Sequence, residues 1–556
     1  MPVRTRRFAE PVATTAAIVV LVLAPALPGA LAHGSTAPVL ALVVLPFESV
    51  AAVLLLTALP SGRLRRVVAA VFGLLVVTAI VLAALDLAFR SAVDRSFDAA
   101  DGKQVIDAYG VVRDAVGPVT AVLVVALLVA VLAGSVVLVA WAALRMTRIV
   151  TRSGARGRAA MTAVAAVWAV SAVVGARLVP GVPFAAAPAV GEVAAMSART
   201  ADALRELAEF DRRIRADAAR DIPSGELFAA LRGKDVVIAF LESYGRVALD
   251  GTESSADVTS GVDRVLRDGE AQLARDGYEA RSAFLTSPTF GGVSWLAHAT
   301  LQTGLWVDSQ LTHDRTMASD RLTLSQLFGS AGWRTVSVVP SNTGPWPEGT
   351  GFYGFDELLN AENVGYRGPA FGYARVPDQY TWKHFADTEL IPPHAPVMAE
   401  IDLVSSHTPW TPLPRLLDWS AIGDGSVYGP QAAEGKDAAE VWRDPRDVQR
   451  MYGTSIEYSL GAMLSFLARA RDGAQGDDGD ARDLVLIVLG DHQPARIVSG
   501  PDASHEVPVS IIADDPAVLA RIASWGWDAG LRPSADAPVW RMDAFRDRFV
   551  DAFRGE

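Results

Sequence analysis

Five long apolar stretches fill most of the first 180 residues and limit what this part of the chain can fold into. Each is close to the roughly 20 residues that a helix needs to cross a bilayer. The first follows three arginines and ends near small residues, as a signal peptide does, but four further stretches favour a retained helix. We therefore predict a five-helix membrane domain over residues 1–180. The stretches are 13–31, 38–59, 67–89, 118–144 and 159–178.

The short loops between these stretches are rich in arginine. Arg63, Arg65 and Arg66 lie between the second and third stretches, and five more arginines lie at 145–158, between the fourth and fifth. By the positive-inside rule both loops and the N-terminus are cytoplasmic. An odd number of spans then places everything after Leu178 outside, which predicts a multi-pass cell-membrane protein with an extracellular domain.

Two acids, Glu48 and Asp86, lie within or at the edge of these stretches. An ionisable side chain in the apolar layer is costly, and contact with a lipid head group or a partner helix would explain its presence. The alternative is that Asp86 lies at the outer interface and Glu48 faces a wet cavity or an arginine. Both acids are near the end of a stretch, where the cost is smaller, and this favours the alternative.

The charge of the chain is divided unevenly. The net charge is -12, yet residues 1–180 carry 15 Arg and 1 Lys against 8 acids, so the remainder is near -20. An acidic domain lacks the basic face that nucleic acid requires, and we expect no nucleic-acid partner. Cysteine is absent, which excludes disulfides, thiolate metal sites and cysteine nucleophiles.

Residues 181–222 and 223–556 have different patterns. The first segment predicts a helical stalk, with Leu204, Leu207, Phe210 and Ile214 on one stripe. The second alternates strands and helices, which predicts a mostly parallel sheet with helices on both faces and a small C-terminal subdomain. Residues 418–447 are interpreted as an insertion that covers the cleft. The predicted strands are 236–242, 335–339, 397–404, 484–490 and 507–512, and the clearest helices are 322–331 and 451–470.

Two of the predicted strands are unbroken aliphatic runs that end in acidic groups. Glu242 ends the first, and Asp491 and His492 end the second. Sheets of this class bind ligands at the carboxyl ends of their strands, so these three residues are candidate metal ligands. The alternative is that each acid caps a helix or ends its strand, because acids are depleted inside strands.

Between these strands a glycine-rich turn leads into a predicted helix. Gly291 and Gly292 permit an unusual turn, Ser294 falls at the helix start, and Gly304 closes the helix. A hydroxyl at a helix N-terminus faces free amides and a positive dipole, which suits attack on an anionic group. Serine is also a common helix cap, so the feature alone leaves both roles open.

The order of these motifs is that of a known superfamily. Leu241-Glu242-Ser243, the turn with Ser294, a strand ending at His407 and Gly490-Asp491-His492 follow one another along the chain. This resembles the alkaline phosphatase/sulfatase superfamily, and more closely its lipoteichoic acid synthase-like branch. Members of that branch carry five membrane helices before an extracellular catalytic domain, so the resemblance covers nearly the whole chain.

The resemblance implies a set of site residues. Glu242, Ser294, Asp491 and His492 would hold one divalent metal ion, with Mn²⁺ expected before Mg²⁺, Zn²⁺ or Ca²⁺. Ser294 would be the nucleophile, where the synthases have threonine. Substrate-binding roles fall to His407 and, by weaker matches, to His505, Trp346 and Asp378. For Trp346 and Asp378, core packing or a turn is the other interpretation. His298, one helical turn after Ser294, faces the site or packs on its neighbours.

The implied activity is transfer of a phospho-alcohol group of the phosphoglycerol type. A lipid would donate it, a serine would carry it covalently, and a glycan or lipid of the cell envelope would accept it. A sulfatase would need Pro and Arg two and four residues after the nucleophile to direct formylglycine formation, and this chain has Leu296 and His298. The alternatives are a sulfatase- or phosphodiesterase-type hydrolase, an inactive envelope sensor, and a protein whose membrane helices carry the main activity.

Overall fold

The computed structural model describes residues 3–32, 38–98, 117–252, 256–392, 394–474 and 483–555, with Gly102 and Tyr109. The chain divides into two compact units, Met1–Ser91 with Arg95–Glu206 and Ala92–Asp94 with Leu207–Glu556. One helix, Pro188–Arg215, runs through this division. The boundaries at 180 and 222 therefore stay a prediction.

Apolar helices make up most of the first unit. Among the residues that the structure describes, four helices are long and apolar enough to cross a membrane by length and composition, namely Glu10–Ala32, Arg63–Val93, Pro118–Arg152 and Gly154–Val174. The predicted stretch 38–59 is not one helix: the helices Pro38–Ala41 and Phe47–Ala58 are separated by the short strand Leu45–Pro46, which pairs with Ala185–Ala186. A proline has no amide hydrogen for a continuous helix, which explains the break.

The two acids singled out in the apolar stretches, Glu48 and Asp86, both have partners. Asp86 forms an ion pair with Arg90 and accepts a hydrogen bond from the amide of Phe97 at 3.1 Å. Glu48 Oε1 accepts a hydrogen bond from the amide of Val190 at 3.0 Å. The buried acids thus have local structural roles.

Nine strands form the central sheet of the second unit. Their order is β8-β2-β7-β6-β1-β5-β3-β4, with β9 beside β2. The pairs from β6 through β1, β5 and β3 to β4 are parallel, whereas β7 is antiparallel to both of its neighbours. The sheet is therefore mostly parallel, as predicted. The strands are β1 (Asp235–Leu241), β2 (Glu279–Thr286), β3 (Arg334–Val339), β4 (Glu357–Asn360), β5 (Val397–Leu403), β6 (Leu484–Gly490), β7 (Glu506–Ala513), β8 (Asp528–Ala529) and β9 (Val539–Arg541).

Helices cover both faces of this sheet, and strand β1 shows why. Its residues Val237 and Ala239 lie in one apolar core, while Val236 and Ile238 lie in the other. Successive side chains of a strand point to opposite faces, so an unbroken aliphatic run is buried on both sides. The main helices are α1 (Ala256–Asp276), α2 (Trp295–Thr303), α3 (Gln310–Met317), α4 (Leu324–Ser330), α5 (Pro347–Tyr353), α6 (Asp378–Phe385), α7 (Pro445–Ala474) and α8 (Phe545–Phe553).

Three details of the second unit differ from the sequence-based expectations. Strand β2 was not predicted, because Glu279, Arg281 and Ser282 interrupt its first half and leave only the short apolar run Ala283-Phe284-Leu285. The C-terminal segment is not a separate subdomain: β7 lies inside the sheet and α8 packs in one of its two cores. The segment 418–447 does not line the cavity described in the next subsection, and its Tyr428 and Val441 are buried in the other core.

Candidate active site

Three neighbouring strands bring the predicted site residues together. Strands β6, β1 and β5 are adjacent and parallel, so their carboxyl ends lie at one edge of the sheet. Glu242 follows β1, and Asp491 and His492 follow β6. Their potential ligand atoms all lie within 4.8 Å of one another. The strand order alone thus assembles residues that are about 250 positions apart in the sequence.

Hydrogen bonds orient these side chains. Asp491 Oδ1 accepts from the amides of Ser243 at 2.8 Å and His492 at 2.7 Å, which leaves Oδ2 available for another partner. His492 Nδ1 lies 2.9 Å from the carbonyl oxygen of Gln493. A carbonyl can only accept, so Nδ1 carries a hydrogen, and Nε2 is the ring nitrogen that faces Ser294 and the carboxylates. Ser243 has a φ of 57°, an unusual conformation for a residue other than glycine, and this conformation belongs to the turn that carries its amide.

Ser294 joins this cluster instead of capping its helix. Its Oγ lies 3.1 Å from Glu242 Oε2 and 3.2 Å from His492 Nε2. It makes no side-chain capping bond to helix α2. The preceding Val293 has a φ of 59°, which is a strained conformation for a β-branched residue. The turn therefore holds the hydroxyl at the metal-ligand cluster, and the capping alternative does not hold for this serine.

Other hydroxyls of the same segment are occupied elsewhere. Thr289 donates to the carbonyl of Gly292 at 2.8 Å. Thr300 and Thr303 donate to carbonyls of their own helix at 2.8 and 2.6 Å. All three threonines are buried. Ser294 is thus the hydroxyl of this segment that meets both a carboxylate and an imidazole.

The cluster has the chemistry and the spacing of a divalent-cation site. An ion with bonds of about 2.1 Å separates neighbouring ligand atoms by about 3.0 to 3.4 Å. The separations here are 3.1 and 3.2 Å from Ser294, and 3.5 Å from His492 Nε2 to both Glu242 and Asp491. Oxygen donors with one imidazole suit Mn²⁺, Mg²⁺ or Zn²⁺. The residues therefore fit a divalent ion without selecting one.

Burial raises the pKa of both carboxyl groups, and their neighbours make the two values different. Burial alone raises the pKa of Glu242, but the charges of His407 and His492 and a hydrogen bond from Ser243 outweigh it and hold that pKa at about 2. Burial and the neighbouring charge of Glu242 raise the pKa of Asp491 to about 6. Two crowded carboxylates of this kind favour a bound cation.

A cavity of about 320 Å³ opens next to the cluster. Glu242, Ser294 and Asp491 contribute to its wall. Of the predicted substrate-binding residues, Trp346 and His407 also line it. The His407 ring stacks on Tyr373, with ring centres 3.7 Å apart. Tyr373 was not predicted, because an aromatic residue in a loop gives no sign of what it stacks against.

The other two predicted substrate-binding residues are not part of this cavity wall. Asp378 is buried, and its carboxylate accepts hydrogen bonds from the amide of Ser405 at 2.9 Å and from Ser459 Oγ at 2.6 Å. Burial raises its pKa to about 6, even though the bonds from Ser459 and Ser405 lower it. The ring of His505 lies against Phe290, with centres 5.3 Å apart. Asp378 thus supports the loop before His407 from behind.

Two acids that were not predicted, Glu400 and Asp402 on β5, line the cavity together with His298. His298 Nδ1 lies 3.1 Å from Glu400 Oε1 and 3.4 Å from Asp402 Oδ1. The sequence signal available for Glu400 and Asp402 was their alternation with the apolar Ile401, which places both acids on one face of a predicted strand. Of the two roles considered for His298, facing the site is the one that the structure has.

Comparison with known proteins gives matches among solved structures only, since no family description and no curated protein matches. The chain is similar to the lipoteichoic acid synthase LtaP from Listeria monocytogenes, with 14% identity, a TM-score of 0.31 and coverage of 51% of this chain and 66% of that one. It is also similar to the Streptococcus pyogenes phosphoglycerol transferase GacH, with 13% identity, a TM-score of 0.35 and coverage of 62% of this chain and 91% of that one. A third similar structure is the Neisseria meningitidis phosphoethanolamine transferase EptA, with 12% identity, a TM-score of 0.38 and coverage of 96% of this chain and 95% of that one. These proteins are of the kind that the sequence resemblance names. Such low values describe a likeness of fold at most.

Proposed function

We propose that this protein is a membrane-anchored, metal-dependent phosphotransferase that moves a phospho-alcohol group through a covalent intermediate on Ser294. The group would be of the phosphoglycerol type, donated by a lipid and accepted by a glycan or lipid of the cell envelope. The observation that carries the proposal is the position of Ser294. Its hydroxyl lies 3.1 Å from a carboxylate and 3.2 Å from an imidazole of a ligand cluster, and it does not cap its helix.

Glu242, Ser294, Asp491 and His492 would hold the metal ion. When bound, a divalent ion supplies Lewis-acid stabilisation of phosphoryl charge and lowers the pKa of a hydroxyl beside it. Glu242 Oε2 accepts the hydrogen bond of Ser294 and so orients its oxygen. The Nδ1 bond of His492 to the Gln493 carbonyl fixes the ring. These contacts would hold the nucleophile ready before the substrate arrives.

The reaction would have two balanced steps. In the first, Ser294 Oγ forms a bond to phosphorus, the bond from phosphorus to the lipid alcohol breaks, and the alcohol leaves with a proton. In the second, an acceptor hydroxyl attacks the same phosphorus, and Ser294 leaves and regains a proton. His407 lines the cavity, and its Nδ1 lies 2.6 Å from the carbonyl of Thr408. That nitrogen carries the hydrogen, so Nε2 remains free to bind or exchange a proton with the substrate.

The membrane helices support a lipid donor. Four helices suited by length and composition to crossing a membrane precede the catalytic unit. The arginines at 145–158 lie where the helix Pro118–Arg152 ends and the helix Gly154–Val174 begins, so by the positive-inside rule we expect the catalytic unit outside the cell. A donor whose head group lies at the outer membrane surface would match this anchoring.

The test is to trap the intermediate. Purified full-length protein is mixed with a bis-phosphodiester or with phospholipid vesicles, quenched during turnover and digested. Mass spectrometry should find a phospho-substituted adduct on the peptide that contains Ser294, and ordinary serine in resting protein. Products formed with water alone, even with saturating glycan or lipid acceptors, would assign a hydrolase. Formylglycine at Ser294 or preference for aryl sulfates would assign a sulfatase, and no adduct with no turnover would favour the inactive sensor.

A further inference from the structure

A second group of ionisable side chains lines the catalytic cavity and has no part in the reaction proposed above. It consists of His298 on α2 and of Glu400 and Asp402 on β5. The two acids are separated by one residue in a strand, so their side chains lie on the same face of the sheet. The potential ligand atoms of all three lie within 4.8 Å of one another. Side-chain exposure is 12%, 8% and 20%, so the group is largely removed from solvent.

A proton on His298 cannot satisfy both acids. Nδ1 forms a hydrogen bond with Glu400 Oε1 at 3.1 Å. One N–H points at one acceptor, and Asp402 Oδ1, at 3.4 Å from the same nitrogen, is buried without a hydrogen-bond partner among the described residues. A buried carboxylate oxygen without a donor is costly. A metal ion would bind the nitrogen and both oxygens together.

The spacing and support of the three side chains suit such an ion. Separations of 3.1 and 3.4 Å match the roughly 3.0 to 3.4 Å between neighbouring ligands of an ion with bonds of about 2.1 Å. Gln302 Nε2 donates to Glu400 Oε2, and the amide of Ser325 donates to Gln302 Oε1 at 3.1 Å. The His298 ring stacks on Phe240 at 3.8 Å. Partners of this kind fix the direction of metal ligands.

Charge balance points the same way. Four carboxylates line the cavity, namely Glu242, Asp491, Glu400 and Asp402. With one divalent ion at the Ser294 cluster and a proton on His298, this wall keeps one negative charge when an anionic phosphodiester has to enter. A second divalent ion, bound in exchange for that proton, would remove the remaining charge and attract the phosphodiester.

We propose that His298, Glu400 and Asp402 form a second divalent-cation site in the catalytic cavity. Its role in neutralising the substrate rests on the proposed function, whereas the presence of the ion does not. The site has its own ligands and shares none with the cluster at Ser294. Each ion should therefore be removable while the other stays.

The test counts metal ions. Full-length protein in detergent is stripped with a chelator, loaded with Mn²⁺ and freed of unbound metal, and Mn²⁺ per chain is measured by mass spectrometry. We expect two ions in wild type, one in Asp402→Asn and one in Asp491→Asn. Titration should show that the lost site of Asp402→Asn binds Mn²⁺ about 10- to 100-fold more weakly. Asp235→Asn is the matched control, because Asp235 pairs with His394 at 2.9 Å outside the cavity, and it should keep two ions.

One ion in wild type at saturating Mn²⁺, with the same count in Asp402→Asn, would overturn the proposal. If Asp402→Asn does not fold, Glu400→Gln and the wild-type count decide. If wild type binds one ion and Asp402→Asn loses turnover only with substrates that carry an ammonium group, the three residues bind a cationic head group and the metal proposal fails. Two ions without an adduct on Ser294 would instead refute the proposed function and leave the second site standing.

Discussion

The variant Ser294→Ala tests whether Ser294 acts as the nucleophile or only stabilises the structure. A capping serine would cost about 1 kcal/mol when removed. That value does not apply here, because Ser294 makes no capping bond in the structure. The alanine variant loses instead the hydrogen bond that Ser294 donates to Glu242. A hydrogen bond to a charged group contributes about 1.5–3 kcal/mol to the free energy of unfolding. Glu242 keeps the hydrogen bond from Ser243 at 2.8 Å, so we expect a loss near the lower end of this range. We therefore expect the Tm to fall by no more than about 3–6 °C.

The expected effect on turnover is far larger. Loss of the nucleophile should lower kcat by a factor on the order of 10⁴ or more, which is at least about 5 kcal/mol of activation free energy. Bis-phosphodiester turnover, thermal unfolding and adduct mass are measured on the same protein. Ser294→Thr should keep partial activity, and Thr303→Val, whose hydroxyl is bound to the Ala299 carbonyl, should keep the adduct. Turnover above about 1% in a folded Ser294→Ala protein, or an adduct on a threonine, would refute the assignment.

Three further outcomes are expected. Asp491→Ala should lose turnover and the ion at the Ser294 cluster, because Oδ2 of Asp491 faces His492 Nε2 at 3.5 Å, and full metal content there would contradict the ligand set. Reporters fused after Leu178 and after Arg152 should be active outside and inside the cell respectively, and the reverse pattern would exclude an extracellular catalytic unit. Burial raises the pKa of Asp378 to about 6 from 3.8, so the folded state favours the protonated form and loses about 3 kcal/mol of stability as pH rises from about 4 to above 6. Asp378→Asn should remove this contribution of about 3 kcal/mol in chelator-treated protein, while the contribution of Asp491, whose pKa burial also raises to about 6, should remain. An unchanged pH profile of the Tm would show that Asp378 is not responsible.

The strands that carry the site were predictable because they are unbroken aliphatic runs. A strand buried on both faces has few alternatives to a central position in an α/β sheet, and the acid that ends it must then lie at the sheet edge. The pattern weakens away from the centre. Strand β2 has polar residues at 279, 281, 282 and 286, which leave an apolar run of only three residues, and it lies in the antiparallel part of the sheet between β7 and β8. Its sequence resembles a half-exposed strand or a loop, so its place could not be read in advance.

The wall of the cavity was less predictable than its reactive centre. Asp378 and Asp402 are both acids in or near loops and strand ends, yet one is held by Ser405 and Ser459 behind the site and the other lines the cavity. Only the path of the chain decides between these places. Residue type restricts what a side chain can do, and the neighbours that the fold supplies determine which of those roles it has.

The predicted extracellular location of the second unit does not depend on how many helices cross the membrane before it. The stretch 38–59 contains a helix of 12 residues, Phe47–Ala58, which is short of the roughly 20 needed to cross a bilayer. An argument from an odd number of spans therefore loses its basis. The arginines at 145–158 still cluster where the helix Pro118–Arg152 ends and the helix Gly154–Val174 begins, and one crossing from that cytoplasmic end leads outside whatever the earlier helices do. The prediction of an extracellular catalytic unit thus depends on this arginine cluster and the last helix alone.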